Sequence, residues 1–268
     1  MIKLIAIDLD GTLLTEDKKI SLRNKEALQK ARQKGVKIVL CTGRPLAGIT
    51  PYLEELELQG SEDYSITFNG GLVQKNDTGE IVAKSALALA EVLDIASLSQ
   101  KLSLPLDVLS DADVLQLPTS NEHLSIYSHL NPLLSFHSAT IEDLTEDRLY
   151  NKVVVGYHQD YLDQQITKIP ADYRQRYEVI KTRANLLEFM PKGITKAYGI
   201  EALIKKLDLK QAAVMGIGDE ENDLPMIQYA GLGVAMANAV EIVKQHADVI
   251  TSSNQDDGVA KVVEKYVL

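Results

Sequence analysis

The sequence predicts an α/β protein built on a mostly parallel sheet, with a second α/β domain inserted into it. Short apolar runs recur and are followed by helical patterns, and two of these runs, 4–7 and 212–217, end in acids. From 85 to 190 strands and helices still alternate, but no apolar strand there ends in acids. We therefore assign 1–84 and 191–268 to a discontinuous core and 85–190 to an inserted domain.

The first strand is 4–7, and two aspartates follow it directly. Its continuous, β-branched apolar run is typical of a strand buried in a parallel sheet. Residues i and i+2 of a strand point the same way, so Asp8 and Asp10 both reach into the crevice where open α/β sheets bind ligands. Two acids in a partly dry crevice repel each other, and a bound cation or a proton relieves that repulsion. Aspartates are also common as plain turn residues, so the choice between a functional pair and a turn depends on motifs later in the chain.

The next helix and strand bring phosphate-compatible groups to the same edge. A helical pattern over 21–34 precedes a second buried strand, 36–41, which delivers Thr42, Gly43 and Arg44 to the carboxyl edge of the sheet. The Thr42 hydroxyl and the unobstructed N–H of Gly43, beside a helix start, suit a phosphate oxygen. A capping threonine followed by a glycine turn explains these residues equally well.

A third strand and a hairpin come next. The third strand, 65–68, ends at Asn69-Gly70-Gly71. The apolar runs 72–74 and 81–83 flank the turn sequence Asn76-Asp77-Thr78-Gly79, which predicts a β-hairpin.

The inserted domain is predicted from weaker patterns. Helices are expected at 88–102 and 161–169. Strands are expected near 108 and at 114–117, 125–127, 152–157, 177–181 and 186–190.

The core then resumes with a helix that Thr195 can cap. Lys196 falls in the first turn of this helix, where the helix dipole disfavours a cation, and a lysine at this position is better explained if it faces an anion. Most lysines are solvated at the surface, and that alternative stays open. The buried strand 212–217 leads into the acid-rich run 218–223, whose spacing fits neither a dinucleotide-binding glycine motif nor a P-loop. The chain closes with a strand, a helix, a strand and a helix at 231–236, 239–246, 249–250 and 256–266.

Composition limits the possible functions. The chain has 268 residues, enough for two domains, and a net charge of −10 with no basic tract, which argues against nucleic acid as a partner. An anionic substrate would therefore need a local positive pocket. No apolar run approaches the roughly 18 residues of a membrane helix. The chain runs straight into a strand, so we expect neither a membrane segment nor a signal peptide.

The single cysteine, Cys41, rules out an intrachain disulfide and fits a cytoplasmic location. Arg44 follows it too soon for a cysteine-phosphatase loop, so we interpret Cys41 as a small buried hydrophobe. The histidines show no zinc-ligand spacing.

Four motifs together carry a family resemblance. They are, in order, Asp8-x-Asp10-Gly-Thr, Thr42-Gly43-Arg44, Lys196 and Gly218-Asp219-x-x-Asn222-Asp223. This set resembles the haloacid dehalogenase (HAD) superfamily of phosphatases. The long insert between the second and third motifs is similar to the α/β cap of the Cof-type subclass (IIB), closest to the sugar-phosphate phosphatases of the YidA type. The resemblance spans essentially the whole chain and implies a Rossmann-like, three-layer core with an inserted cap.

The resemblance also implies chemical roles. Asp8 would attack phosphorus to give an aspartyl-phosphate, and Asp10 would protonate the leaving group and then deprotonate water. Mg²⁺ would be held by Asp8, Asp219 and the backbone carbonyl of Asp10. Asp223 would support Lys196 or a metal-bound water. The phosphoryl oxygens would be bound by the N–H groups of Leu9 and Gly43 and by Thr42, Lys196 and Asn222.

Two groups of residues are candidates for setting substrate choice. Arg44 and Asn69 are the core residues expected to contact the leaving group. In the cap the candidates are Asn121, His123, Tyr127, His158 and Arg183, residue types that more often pack or lie at the surface. The sequence leaves the oligomeric state open.

Three functions follow from these patterns. The first is a magnesium-dependent phosphatase acting on a small phosphorylated metabolite, with a sugar phosphate as the expected substrate. The second is a phosphomutase, which would return the phosphoryl group to the sugar. The third is a non-catalytic sensor similar to a receiver domain, but Asp10 has no evident purpose in a sensor, and receivers lack a hundred-residue insert.

Overall fold

The chain divides into two compact units. One comprises Met1–Lys84 and Thr195–Leu268, and the other comprises Ser85–Ile194. The sequence assigns 191–194 to the core, whereas these residues belong to the second unit, because Pro191 is still paired within that unit's sheet. The computed structural model describes residues 1–111, 113–117, 123–132 and 134–268.

The first segment of the first unit alternates strands and helices. Ser21 caps the first helix by accepting a hydrogen bond from the N–H of Asn24. The elements are β1 (Leu4–Ile7), α1 (Leu22–Gln33), β2 (Lys37–Cys41), α2 (Thr50–Glu55), β3 (Tyr64–Thr67), β4 (Leu72–Lys75) and β5 (Ile81–Lys84).

The second unit mixes helices with mostly antiparallel strands. Its elements are α3 (Leu89–Lys101), β6 (Leu106–Ser110), β7 (Asp113–Leu117), α4 (Tyr127–Leu130), β8 (Ser135–Ser138), β9 (Lys152–Gly156), α5 (Gln159–Ile166), α6 (Ala171–Arg176), β10 (Tyr177–Arg183) and β11 (Leu186–Pro191).

The strand predicted at 125–127 is wrong. The N–H of Ile126 donates to the carbonyl of Gly156 and the Ser125 hydroxyl donates to Asp107, and the chain then enters α4. The segment is therefore attached to strands of the sheet by these bonds instead of forming a strand. The sequence also missed β8 and α6, whose short polar runs carry little periodicity.

The last segment returns to the first unit. Thr195 caps its first helix by accepting from the N–H of Tyr198 at 3.4 Å, as predicted. The elements are α7 (Lys196–Lys206), β12 (Val214–Gly218), α8 (Leu224–Tyr229), β13 (Leu232–Ala235), α9 (Glu241–His246), β14 (Val249–Ile250) and α10 (Gly258–Tyr266).

The sheet of the first unit has the order β14-β13-β12-β1-β2-β3-β4-β5. Pairing is parallel from β14 to β3, and the predicted hairpin β4–β5 adds antiparallel strands at one edge. Apolar clusters lie on both faces, with α1 and α10 on one and α7 on the other. Ile7 pairs with both Ile217 and Leu40, so the three central strands end at nearly the same level.

The described residues of the second unit form a sheet with the order β10-β11-β9-β6-β7-β8. Its strands are antiparallel except for the β7–β8 pair. Side chains from α3, α5 and α6 cover one face, as at Val92, Leu162 and Tyr173. Across the described ranges of both units, none of the helices combines the length and the apolarity required to cross a bilayer.

Candidate active site

The three level strand ends place the first site residues side by side. Asp8 follows β1, Thr42 follows β2 and Asp219 follows β12. Asp8 and Asp219 are each 6% exposed and Thr42 is 2% exposed. The edge of the sheet therefore presents two carboxyl groups and a hydroxyl that are nearly inaccessible to solvent.

Lys196 reaches this edge from the first turn of α7. It is fully buried, and its Nζ lies 2.5 Å from Oδ1 of Asp8 and 2.5 Å from Oδ1 of Asp223. Burial alone would lower the pKa of Lys196, but the carboxylates of Asp223 and Asp8 outweigh it and raise that pKa above its usual value. The ammonium is therefore charged, and its two partners offset its unfavourable place in the helix dipole.

Further hydrogen bonds fix the other two carboxylates. Oδ2 of Asp223 accepts from the N–H groups of Asp219 at 2.9 Å and Glu220 at 3.1 Å. Oδ1 of Asp219 accepts from the Thr12 hydroxyl at 2.7 Å. The sequence analysis missed this role of Thr12, although its place in the Asp-x-Asp-Gly-Thr motif was the available signal.

The cluster holds more carboxyl groups than cations. Oxygens of Asp8, Asp219 and Asp223 lie within 4.8 Å of one another, around the ammonium of Lys196. Burial, with Asp223 nearby, raises the pKa of Asp8 to about 7 against the opposing pull of Lys196. Burial and the charge of Asp8 raise the pKa of Asp219 to about 9. A cluster of oxygen donors in excess of the local cations suits a hard divalent ion such as Mg²⁺.

Asp223 is the member of this trio that the predicted ligand set omits. Both of its oxygens already accept hydrogen bonds, one from Lys196 and the other from two backbone N–H groups. That arrangement fits the supporting role suggested for Asp223. Asp8 and Asp219 remain the side chains expected to bind a metal.

Asp10 is held by two cations. Arg44 donates to it through Nε at 2.9 Å and Nη2 at 2.7 Å, and Lys18 donates through Nζ at 2.7 Å. The Arg44 guanidinium also lies 5.6 Å from the centroid of the Tyr52 ring. Arg44, predicted to contact the leaving group, is thus engaged with Asp10. Sequence spacing did not indicate Lys18, because its contact depends on the turn at 15–20.

The remaining predicted phosphate-binding residues surround the same edge. Leu9 is buried between the two aspartates, and its carbonyl accepts from the N–H groups of Thr12 and Leu14. Oγ1 of Thr42 accepts from the N–H of Arg44 at 3.2 Å. These bonds fix the backbone of both loops.

Asn69 and Asn222 meet directly. Nδ2 of Asn222 donates to Oδ1 of Asn69 at 3.0 Å, and Asn222 is 8% exposed and Asn69 1% exposed. A Cβ added at Gly43 would lie 3.1 Å from the amide atoms of Asn69. The structure therefore brings Gly43, Asn69 and Asn222 together.

The candidates in the second unit differ in burial: Tyr127 is buried, His123 and Arg183 are partly buried, and His158 is exposed. His123 stacks on Tyr161 with centroids 4.4 Å apart, and Tyr127, the first residue of α4, is buried and packs edge-on against Phe136. His158 is edge-on to a neighbouring tyrosine, and Arg183 lies at the end of β10. Asn121 lies outside the described residues.

Cys41 ends β2 just beneath the site and is buried, as predicted. Burial raises the pKa of its thiol above the usual range, although Lys196 opposes the shift. A protonated, inaccessible thiol is a packing group and not a nucleophile.

Comparison with known proteins identifies the family. The family described as haloacid dehalogenase-like hydrolase matches residues 5–263. The Bacillus subtilis protein named "Putative phosphatase YxeH" is 37% identical over 268 residues, covering 100% of this chain and 99% of that protein. The 5-amino-6-(5-phospho-D-ribitylamino)uracil phosphatase YcsE of the same organism is 32% identical over 267 residues, covering 100% and 96%. The solved structure of the HAD subclass IIB sugar phosphatase BT4131 is similar with a TM-score of 0.83 and 28% identity, over 98% of both chains. The chain therefore belongs to the haloacid dehalogenase-like hydrolase family.

Proposed function

We propose that this protein is a magnesium-dependent phosphatase that hydrolyses small phosphorylated metabolites through an aspartyl-phosphate. One observation carries the proposal: the buried ammonium of Lys196 lies 2.5 Å from Asp8 at the edge of a parallel sheet, with Asp219 in the same carboxylate cluster. A nucleophile, a cation and a metal-compatible pair of acids are thereby gathered where such sheets bind ligands.

Asp8 is the proposed nucleophile. A carboxylate oxygen of Asp8 forms a bond to phosphorus while the bond from phosphorus to the leaving alkoxide breaks. The hydrogen bond from Lys196 orients the Asp8 carboxylate, and the same cation would neutralise charge on the phosphoryl oxygens.

Asp10 is the proposed acid and base. It gives its proton to the leaving alkoxide, and it then takes a proton from the water whose oxygen displaces Asp8 from phosphorus. Arg44 and Lys18 favour the carboxylate form of Asp10 and so prepare it for the second step. We infer that in the first step the substrate binds Arg44. This weakens the ion pair between Arg44 and Asp10, so that the Asp10 carboxyl can carry a proton.

Magnesium would be held by Asp8, Asp219 and the backbone carbonyl of Asp10. When bound, it offsets the repulsion between the Asp8 carboxylate and an anionic phosphate. The N–H groups of Leu9 and Gly43 and the side chains of Thr42, Lys196 and Asn222 would bind the phosphoryl oxygens.

The proposed substrates are phosphomonoesters of sugars or sugar alcohols. Two similarities support this class: one relative is named for a phosphoribityl substrate, and a similar solved structure is that of a sugar phosphatase. Lys196, Arg44 and Lys18 are the cations at this edge, but the carboxylates of Asp8, Asp10, Asp219 and Asp223 outnumber them, so attraction of an anionic phosphate would also need the bound metal ion.

The test is phosphate release, with and without Mg²⁺, first from p-nitrophenyl phosphate and then from a panel of sugar and sugar-alcohol phosphates. The panel includes 5-amino-6-(5-phospho-D-ribitylamino)uracil. We expect turnover that chelation of the metal abolishes. Borohydride reduction during turnover should convert Asp8 to homoserine, because an acyl phosphate is reduced and a free carboxylate is not. Phosphorus NMR that finds an isomerised phosphosugar in place of inorganic phosphate would replace this proposal with a mutase.

A further inference from the structure

The turn formed by Phe68, Asn69 and Gly70, here called the 68–70 turn, contacts the loops that carry the proposed phosphate-binding groups. It follows β3 directly and lies wholly within the first unit. The backbone N–H of Phe68 donates to the carbonyl of Arg44 at 3.4 Å, and that of Asn69 donates to the carbonyl of Thr42 at 2.9 Å. Both bonds tie the turn to the loop after β2.

The backbone of the turn is held in an unfavourable conformation. Phe68, Asn69 and Gly70 have φ angles of 51°, 54° and 99° in succession. Asparagine and glycine adopt this left-handed region readily, but a bulky aromatic residue rarely does, so the backbone of Phe68 is strained. Strain of this kind persists where the surrounding contacts fix it, and it is concentrated at functional sites.

The Asn69 side chain links two loops. Its Oδ1 accepts from Nδ2 of Asn222 at 3.0 Å. Its amide also lies against the backbone of Gly43, where an added Cβ would be only 3.1 Å away. One buried amide thus sets the rotamer of Asn222 and limits the position of Gly43.

Gly70 places the turn against a third loop. A Cβ on Gly70 would lie 1.9 Å from the carbonyl oxygen of Thr195, the residue that precedes Lys196. A further approach occurs at Gly199 in α7, where an added Cβ would lie 3.0 Å from Cα of Gly70. The start of the helix that carries Lys196 therefore packs on the turn at a distance that only glycine allows.

We propose that Asn69 is a positioning residue that aligns Gly43 and Asn222 as a pair of phosphate donors, instead of a residue that contacts the leaving group. The inference rests on the proposed phosphatase function and deepens it, because it states how the phosphate site is assembled. The strained turn holds Asn69 in a fixed position, and the Asn69 amide in turn restrains the loops that carry Gly43 and Asn222, which are far apart in sequence.

The test is Asn69→Gly, because glycine accepts the left-handed backbone while the side chain with its amide is removed. We expect kcat/KM to fall between about tenfold and a hundredfold, the range that small misplacements of catalytic groups produce. The inhibition constant for inorganic phosphate should rise at least about fivefold. Asn69→Ser removes the same amide with a polar side chain in its place, and we expect the same losses if Asn69→Gly unfolds.

A double-mutant cycle separates positioning from general damage. If Asn69 acts through Asn222, then Asn69→Gly should cost less than about threefold once Asn222→Ala is present. The matched control is Asn76→Gly, since Asn76 is also buried in the first unit and donates to the carbonyl of Leu58 at 2.8 Å. We expect this control to lower stability and leave the kinetics unchanged.

The outcomes distinguish the two proposals. Suppose that the wild-type protein turns over phosphomonoesters. If Asn69→Gly then has the same kcat/KM as the wild type, or if its loss of kcat/KM adds fully to that of Asn222→Ala, the positioning role of Asn69 is overturned and the phosphatase proposal stands. A wild-type protein without turnover overturns the phosphatase. In that event, calorimetric binding of inorganic phosphate that Asn69→Gly weakens would still support the positioning role, and binding that it leaves unchanged would overturn it.

Discussion

The two units each bury a lysine beside a carboxylate, but the charges around the two lysines balance differently. Lys196 lies between Asp8 and Asp223 in the first unit, whereas Lys152 on β9 pairs with Glu188 on β11 at 2.7 Å in the second. Burial lowers the pKa of Lys152 despite the attraction of Glu188. The two carboxylates beside Lys196 raise its pKa instead.

The difference separates a structural pair from a functional cluster. The Lys152–Glu188 pair carries no net charge of its own, and such buried pairs contribute little to stability although they are costly to break. The cluster around Lys196 sets three carboxylates against one ammonium at a strand edge. Crowding of buried carboxyl groups raises the pKa values of Asp8 and Asp219, and a bound cation would relieve it, so the imbalance, more than the burial, marks the site.

The largest test of this comparison replaces one buried carboxylate in each unit by its amide. Asp8→Asn should lower kcat/KM by at least about 10⁴-fold, because the proposed nucleophile is lost. Asp107→Asn, at a carboxylate buried in β6, should leave kcat/KM within about threefold. Both are measured as phosphate release from p-nitrophenyl phosphate. Full activity of Asp8→Asn would end the proposed mechanism.

The second test exchanges each buried lysine for methionine. Lys196→Met should lower kcat by about 10²–10³-fold, since it removes a cation that stabilises developing charge. Lys152→Met should instead lower the free energy of unfolding by about 3–5 kcal/mol, because Glu188 stays buried and loses the ammonium that it pairs with. Urea unfolding and steady-state kinetics on both variants measure the two effects. A Lys152→Met protein that is folded yet inactive would contradict the distinction between a structural pair at Lys152 and a functional cluster at Lys196.

The sequence predicted the strand edge well because its signals are local. Short apolar runs gave the central strands, and the acids after β1 and β12 lie level because parallel strands end together. Thr195 and Ser21 cap helices for the same local reason. The predicted roles of Asp8, Asp10 and Lys196 stay predictions, since geometry alone does not test them.

Contacts between distant loops could not be predicted in this way. The ion pairs of Asp10 with Arg44 and Lys18 depend on how two turns fold over the edge. The strand expected at 125–127 failed because a partly buried hydrogen bond from Ser125 to Asp107 helps to determine that segment's path. Neither feature leaves a periodic trace in the sequence.

Metal binding tests the charge imbalance directly. Mg²⁺ at about a hundred times its dissociation constant should stabilise the wild-type protein by about 2.7 kcal/mol, because it binds the folded state. Asp219→Asn should lose most of this stabilisation, while Glu188→Gln in the second unit should retain it. Thermal unfolding with added Mg²⁺ or with a chelator measures the shift. An equal response in Asp219→Asn would mean that the ion binds elsewhere.

The last test is a pH dependence of stability that arises in the second unit. Burial raises the pKa of Asp107 from 3.8 to about 6, against the hydrogen bonds from Ser125 and Gln116. Between these values the folded state binds more protons than the unfolded state, so the stability contributed by Asp107 falls as pH rises through this window and is constant above it. Asp107→Asn lacks this dependence. The wild-type protein should therefore lose up to about 3 kcal/mol relative to Asp107→Asn between pH 4 and pH 7, as measured by urea unfolding. A difference that grows in the opposite direction would mean that a cation stabilises the Asp107 carboxylate, and the second unit would then hold a charged site of its own.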